Sequence, residues 1–167
     1  MTRATPRPAT PTATRRAPSV HVGYDGRTVA LSSLQAACSQ IKDAAGGALA
    51  WEWDTRFGAV LTAFDSERER DVLAVLDEVF DKVWSAAELR AAPAQVSQVA
   101  RSLGGLRSGQ MLLTAFVDSP GPMLYCAWWP WGSGARISVR IGCAPGTGPL
   151  DPSEPDASLR RWFDVTT

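Results

Sequence analysis

Between Gly109 and Gly142 the chain reads as three strand-length runs, GQMLLTAFVDS, PMLYCAWW and ARISVRIG, cut apart by Pro120-Gly121-Pro122 and by Pro130-Trp131-Gly132-Ser133-Gly134. Proline lacks the ladder N–H and glycine supplies turn geometry, so each break ends a strand and the runs become neighbours in one sheet. The first two runs are apolar at nearly every position, the pattern of central strands covered on both faces. The third alternates Ile137, Val139 and Ile141 with Arg136, Ser138 and Arg140, the pattern of a half-exposed strand. Two central strands need covering layers, and the rest of the chain has to supply them.

Helical signals do so. Ser32 with Gln35 makes a capping box, after which Leu34, Ala37, Cys38, Ile41 and Ala45 recur at helical spacing until Gly46-Gly47. A second box, Ser66 with Glu69, opens an amphipathic helix striped by Val72, Leu73, Val75, Leu76, Val79, Phe80 and Val83. Its other face, Glu67, Arg68, Arg70, Asp71, Asp77, Glu78 and Asp81, reads as solvated. A third box, Ser85 with Glu88, starts a short turn, and Pro93 suits the first position of a helix over PAQVSQVARSLGG. Val96, Val99, Ala100 and Leu103 form the buried stripe of that helix, which Gly104-Gly105 ends. After the Pro-Gly linker APGTGPLDPSEP, the stretch DASLRRWFDV adds a short helix docking Leu159, Trp162 and Phe163.

Two hairpins complete the element list. VHVGYDGRTVAL, from Val20 to Leu31, pairs two apolar runs through Asp25-Gly26, the chemistry of a type I′ turn. GALAWEWDTRFGAVLTAF pairs two more around Asp54-Thr55-Arg56-Phe57-Gly58, with Leu49, Trp51 and Trp53 on one face and Ala50, Glu52 and Asp54 on the other. The fold class that follows is α+β: a two-layer sandwich with a mainly antiparallel sheet of about five to seven strands and helices packed on one face. Ser39-Gln40-Ile41 before Gly46-Gly47 and Ser97-Gln98-Val99 before Gly104-Gly105 recur at an offset of 58 residues, which suggests two helix-strand-strand units. In topology alone this order resembles roadblock-type regulatory domains and dimeric secretion chaperones. No residue motif accompanies the likeness, and no family follows from it.

Domain organisation divides the chain into a basic Pro/Thr/Ala/Arg tail at 1–19, an α+β domain at 20–144, and a linker with a short helix at 145–167. The tail holds too little apolar surface to offset the entropy of ordering it, so disorder is expected there. Net charge is zero, with 17 basic and 17 acidic residues, but Arg3, Arg7, Arg15 and Arg16 lie in the tail and leave the body mildly acidic. An acidic body argues against a nucleic-acid module. Only Lys42 and Lys82 are lysines and the other basic residues are Arg, a bias that points to a GC-rich bacterial genome. No apolar run reaches the roughly 18 residues of a membrane span, and the start lacks a signal-peptide core, so a cytoplasmic location is expected.

Catalytic patterns are sparse. Ala144-Pro145-Gly146-Thr147-Gly148 looks like a glycine-rich phosphate loop but has no lysine, and His21 is the only histidine. Cys38, Cys126 and Cys143 are odd in number and widely spaced, so neither disulfides nor zinc are indicated, and no metal or cofactor is expected. An enzyme reading would need Cys126 as nucleophile with His21 as base, or the Glu52 and Asp54 carboxylates. A buried thiol is poorly reactive, which weighs against the first. The candidate that remains is an aromatic-Arg patch formed by Trp128, Trp129, Trp131, Arg136 and Arg140, the composition of interface hot spots. The leading expectation is therefore a non-enzymatic protein-binding module, a regulatory adaptor or chaperone-like partner that itself forms a homodimer. A toxin-neutralising immunity protein, covering a basic toxin with its acidic body, is the alternative.

Overall fold

The computed structural model describes residues 26–45, 47, 49–116, 121–146 and 153–166, with the backbone alone at 26–30 and 153. In chain order the elements are α1 (Gly26–Ala44), β1 (Glu52–Asp54), β2 (Ala59–Asp65), α2 (Glu69–Asp77), β3 (Lys82–Trp84), α3 (Ala94–Ser102), β4 (Met111–Ala115), β5 (Met123–Pro130), β6 (Arg136–Ala144) and α4 (Ser153–Trp162). The six strands form one sheet in the order β1-β2-β6-β5-β4-β3, and every neighbouring pair is antiparallel. This is the α+β arrangement that the strand breaks and helical stripes imply. Among the described residues no helix is long and apolar enough to cross a membrane.

Strand alternation divides the interior into two cores. On one face Leu124, Cys126 and Trp128 of β5 meet Leu113 of β4, Ile137, Val139 and Ile141 of β6, and Val60 and Phe64 of β2. Leu34, Cys38 and Ile41 of α1, Val72 and Leu76 of α2, and Leu159 of α4 cover them, with Phe163 just beyond α4. On the reverse face Met123, Tyr125 and Ala127 of β5 join Leu112 of β4 under Val96, Val99 and Ala100 of α3. The main sandwich thus has α1, α2 and α4 on one side, and α3 is added across the β4–β5 half of the other. The β1–β2–β6 half of that reverse face carries no helix among the described residues. Each helix that the Gly-Gly pairs follow leads into an antiparallel strand pair, α1 into β1–β2 and α3 into β4–β5, and the two helices lie on opposite faces.

Local signals set several boundaries. The Ser85 box forms as expected, with the Ser85 amide donating to Glu88 Oε2 at 2.8 Å and the Glu88 amide to Ser85 Oγ at 3.4 Å. Hydrogen bonding from the Ser85 side chain and then from its backbone amide favours the ionised acid, and the Glu88 carboxyl is accordingly held below its ordinary value. Pro93 precedes α3 as its N-cap residue rather than opening it. At its far end Gly104 and Gly105 take φ of 89° and 82°, and the Gly105 amide donates back to Ala100 O at 2.8 Å.

Four local expectations are overturned. The hairpin over Val20–Leu31 does not form: Arg27–Leu31 belong to α1, while residues 20–25 lie outside the described residues. Leu31 packs against the same core as Leu34, Cys38 and Ile41, so the apolar stripe already includes the residue before Ser32, which sits inside the helix rather than capping it. The Ser66 box is replaced by a 3₁₀ turn, Ser66–Arg68, with no side-chain cap bond at the start of that turn or of α2. Finally, α2 stops at Asp77, and Val83 belongs to β3, whose pairing with β4 overrides a helical spacing that continues through it.

One close approach fixes a glycine. Gly142 pairs with Tyr125 across β6 and β5, and a Cβ at Gly142 would lie 2.3 Å from the Tyr125 ring. The ring therefore lies flat over the glycine, and the Tyr125 hydroxyl donates to Phe57 O at 3.4 Å, tying the β1–β2 turn to the centre of the sheet. Burial pushes the Tyr125 hydroxyl well above the usual phenol range. Gly142→Ala should destabilise by about 1–3 kcal/mol, read from urea midpoints at unchanged m-value. Unaltered stability would show that the ring has room to move.

Candidate interaction surface

The β5–β6 turn is built by its sequence breaks. Pro130 ends β5 opposite Ile137, and Gly134 at φ 70° lets its amide donate to Trp131 O at 2.7 Å. The Trp131 amide donates to Arg136 O at 2.8 Å, and the Ser66 amide donates to Ala135 O at 2.9 Å, so the turn is held at its neck and against the end of β2. Trp131 is 49% exposed on this support. The Arg136 guanidinium stacks 5.1 Å from the Trp131 ring centre, and its Nε lies 3.9 Å from Asp65 Oδ1. Both groups are accessible, the state in which an aromatic-Arg pair is available to another surface.

A second cluster lies on the uncovered half of the reverse face. Arg140 crosses β2 diagonally to Asp54, with Nε donating to Asp54 Oδ2 at 2.8 Å and Nη1 to Ser138 Oγ at 3.2 Å. Its guanidinium lies 4.4 Å from the Trp129 ring centre and 5.4 Å from that of Phe57, and the two rings meet edge to face at 5.5 Å. The side chains of Arg140 and Asp54 are only 14% and 13% exposed. β6 is thus not the half-exposed strand its alternation implies: Ser138 is buried, and Asp54, Phe57 and Trp129 close over Arg140. Asp54 is likewise not a solvent-facing acid, whereas Glu52, one pair along β1, is exposed.

The five residues expected to form one patch therefore separate. Trp131 and Arg136 are its exposed part; Trp129 and Arg140 are half-buried, with Arg140 farther along the sheet face that carries Arg136. Trp128 points to the other face, is 1% exposed and packs edge to face on Phe64 at 5.7 Å. Its burial, at about 25 cal/mol per Å² over roughly 200 Å², is worth about 5 kcal/mol to the core as an upper estimate. Phe57 is the member that sequence reasoning missed, because it sat in a stretch read only as turn chemistry. Asp54 carried a usable signal: the acids Glu52 and Asp54 of β1 and the arginines Arg136 and Arg140 of β6 each keep to one face of their strand, on strands that flank β2. Beside Phe57 a cleft of about 280 Å³ runs between α3 and the β1–β2 turn, lined by Gln95, Gln98, Tyr125 and Pro145.

Of the residues an enzyme reading needs, the structure describes Cys126, Glu52 and Asp54. Cys126 is fully buried between β4 and β6, and burial raises its thiol far above the ordinary range; His21 lies outside the described residues. Cys38, also buried, is pushed up to about 12, and Cys143, half-buried, is raised as well. Among the described residues no three His, Cys, Asp or Glu side chains gather as metal ligands. Comparisons with protein-family models, with curated proteins and with solved structures find no match.

Two measurements check this description. In a double-mutant cycle, Asp54→Ala and Arg140→Ala should show a coupling of about 0.5–3 kcal/mol, whereas additive losses would mean the pair contributes nothing beyond its separate packing. Native protein treated with a thiol reagent at pH 8 should leave Cys38 and Cys126 unmodified until denaturant is added. Rapid labelling of Cys126 would revive it as a nucleophile.

Proposed function

We propose that this chain is a non-enzymatic protein-binding module, cytoplasmic, acting as a regulatory adaptor or chaperone-like partner. The observation that carries the reading is Trp131: a large ring half exposed on a turn that is hydrogen-bonded at its neck and capped by the Arg136 guanidinium. A rigidly held aromatic loses little conformational entropy on binding, and Trp and Arg dominate interface energies. Trp129 and Arg140 extend the surface toward the uncovered sheet face, and Phe57 carries it to the cleft beside α3. The toxin-neutralising alternative draws on the exposed acids of α2 and its flanks, Glu69, Asp71, Asp77, Glu78 and Asp81.

Trp131→Ala separates contact from core. Partner capture from the source cells should fall at least about tenfold, the equivalent of 1.4 kcal/mol, with the melting temperature nearly unchanged. Trp128→Ala, by contrast, should cost about 3–5 kcal/mol of stability. If Trp131→Ala destabilises as much as Trp128→Ala, the ring is structural and the patch reading fails. Binding retained by Trp131→Ala and lost on neutralising the α2 acids would favour the alternative.

A further inference from the structure

Strand β3 closes one end of the sheet, with β4 on one side and, among the described residues, no strand on the other. Such an edge presents unpaired N–H and C=O groups that template pairing with another chain. β3 also displays Val83, 45% exposed, and one residue past β4 Phe116 is exposed too, at a left-handed φ of 66°. The other end of the sheet is β1, whose sequence is Glu52-Trp53-Asp54.

We infer that β3 pairs antiparallel with β3 of a second copy, about a two-fold axis through Val83. A two-fold contact is isologous, so Val83 meets the partner's Val83 and Lys82 meets the partner's Trp84. Side chains directly opposite in an antiparallel pair share a face and lie about 4.5–5.5 Å apart at Cβ. The exposed Val83 is then covered by its own equivalent. The Trp84 ring is already fixed, because its Nε1–H donates to Thr114 Oγ1 at 2.8 Å, and an exposed Lys82 ammonium opposite it makes a cation–π contact.

The same chemistry selects this register and this edge. An axis through Lys82 would set two ammonium groups opposite each other, and an axis through Trp84 would leave Val83 facing Ser85. At the other edge, an axis through Trp53 would oppose Glu52 to the partner's Asp54, two like charges, which is destabilising. Lysine on an edge strand ordinarily discourages pairing. Here it disfavours the shifted registers and is satisfied in the centred one. The ladder is short, so the dimer belongs to the small, transient class of interfaces.

Sedimentation velocity on the full chain tests this directly. From about 5 to about 500 µM, the weight-average mass should rise from 17.9 kDa toward twice that value. Val83→Asp, which places two carboxylates at the axis, should abolish the rise, and Val83→Cys should form a disulfide-linked dimer on mild oxidation that wild type does not. Should Val83→Asp fail a circular-dichroism check of folding, Val83→Thr keeps the β-branched shape and should weaken association at least about fivefold. Trp131→Ala should leave the dimer intact, so loss of this contact and loss of the partner patch are distinguishable. A wild-type chain that stays monomeric throughout, or a dimer that a folded Val83→Asp leaves unchanged, overturns the inference.

Discussion

The double burial of β5 is the constraint on which the rest of the structure depends. Met123 to Trp128 are buried without interruption, so every second side chain enters a different core, and each core needs its own cover. Three helices close one face. Among the described residues the other is closed only over the β4–β5 half, where α3 lays its stripe of Val96, Val99, Ala100 and Leu103. What α3 leaves bare is protected by side chains instead. Phe57, Trp129 and Arg140 lie across the β2–β6 half and take the place of a helix.

That substitution explains why the patch has two parts. Arg140 is locked from below by Asp54 and Ser138 and stacked against two rings, so its donors are largely spent inside the molecule. Charges held in this way add more to a fixed local arrangement than to net stability, since desolvating the pair offsets much of its attraction. Arg136 and Trp131, at the tip, have their backbone held and their side chains in water. Trp129, Arg140 and Phe57 cover the sheet face, and Trp131 and Arg136 offer the accessible surface.

Much of this was legible in the residues, and the failures have common physical causes. Pro and Gly breaks located β4, β5 and β6 because those residues act locally, through a missing N–H or a permitted φ. Val96, Val99, Ala100 and Leu103 were legible because a helix buries a stripe at its own period. Val83 was misread because Val79, Phe80 and Val83 satisfy a helical spacing, while its strand state depends on Leu113, thirty residues away in sequence. The exposure of Arg140 was misread for a related reason: alternation tells which face a residue takes, and only the diagonal reach to Asp54 tells whether that face is open. Trp128 and Trp129 are adjacent and equally aromatic, and the pleat alone assigns one to the core and the other to the surface cluster.

The strand order also sets when the molecule can exist. β6, the last strand to be made, lies between β2 and β5, and pairs Ala59 with Gly142 and Tyr125 with the same glycine. Until β6 leaves the ribosome, β1–β2 and β3–β4–β5 are two fragments with open edges and no shared ladder. Their joining pairs β2 with a strand far along the sequence, the kind of non-local contact that slows folding. A nascent or truncated chain ending before residue 136 would expose the inner edges of β2 and β5 together with the apolar faces beside them. Changes in β6, whose Ile137, Val139 and Ile141 are fully buried, therefore act on folding yield as well as on final stability.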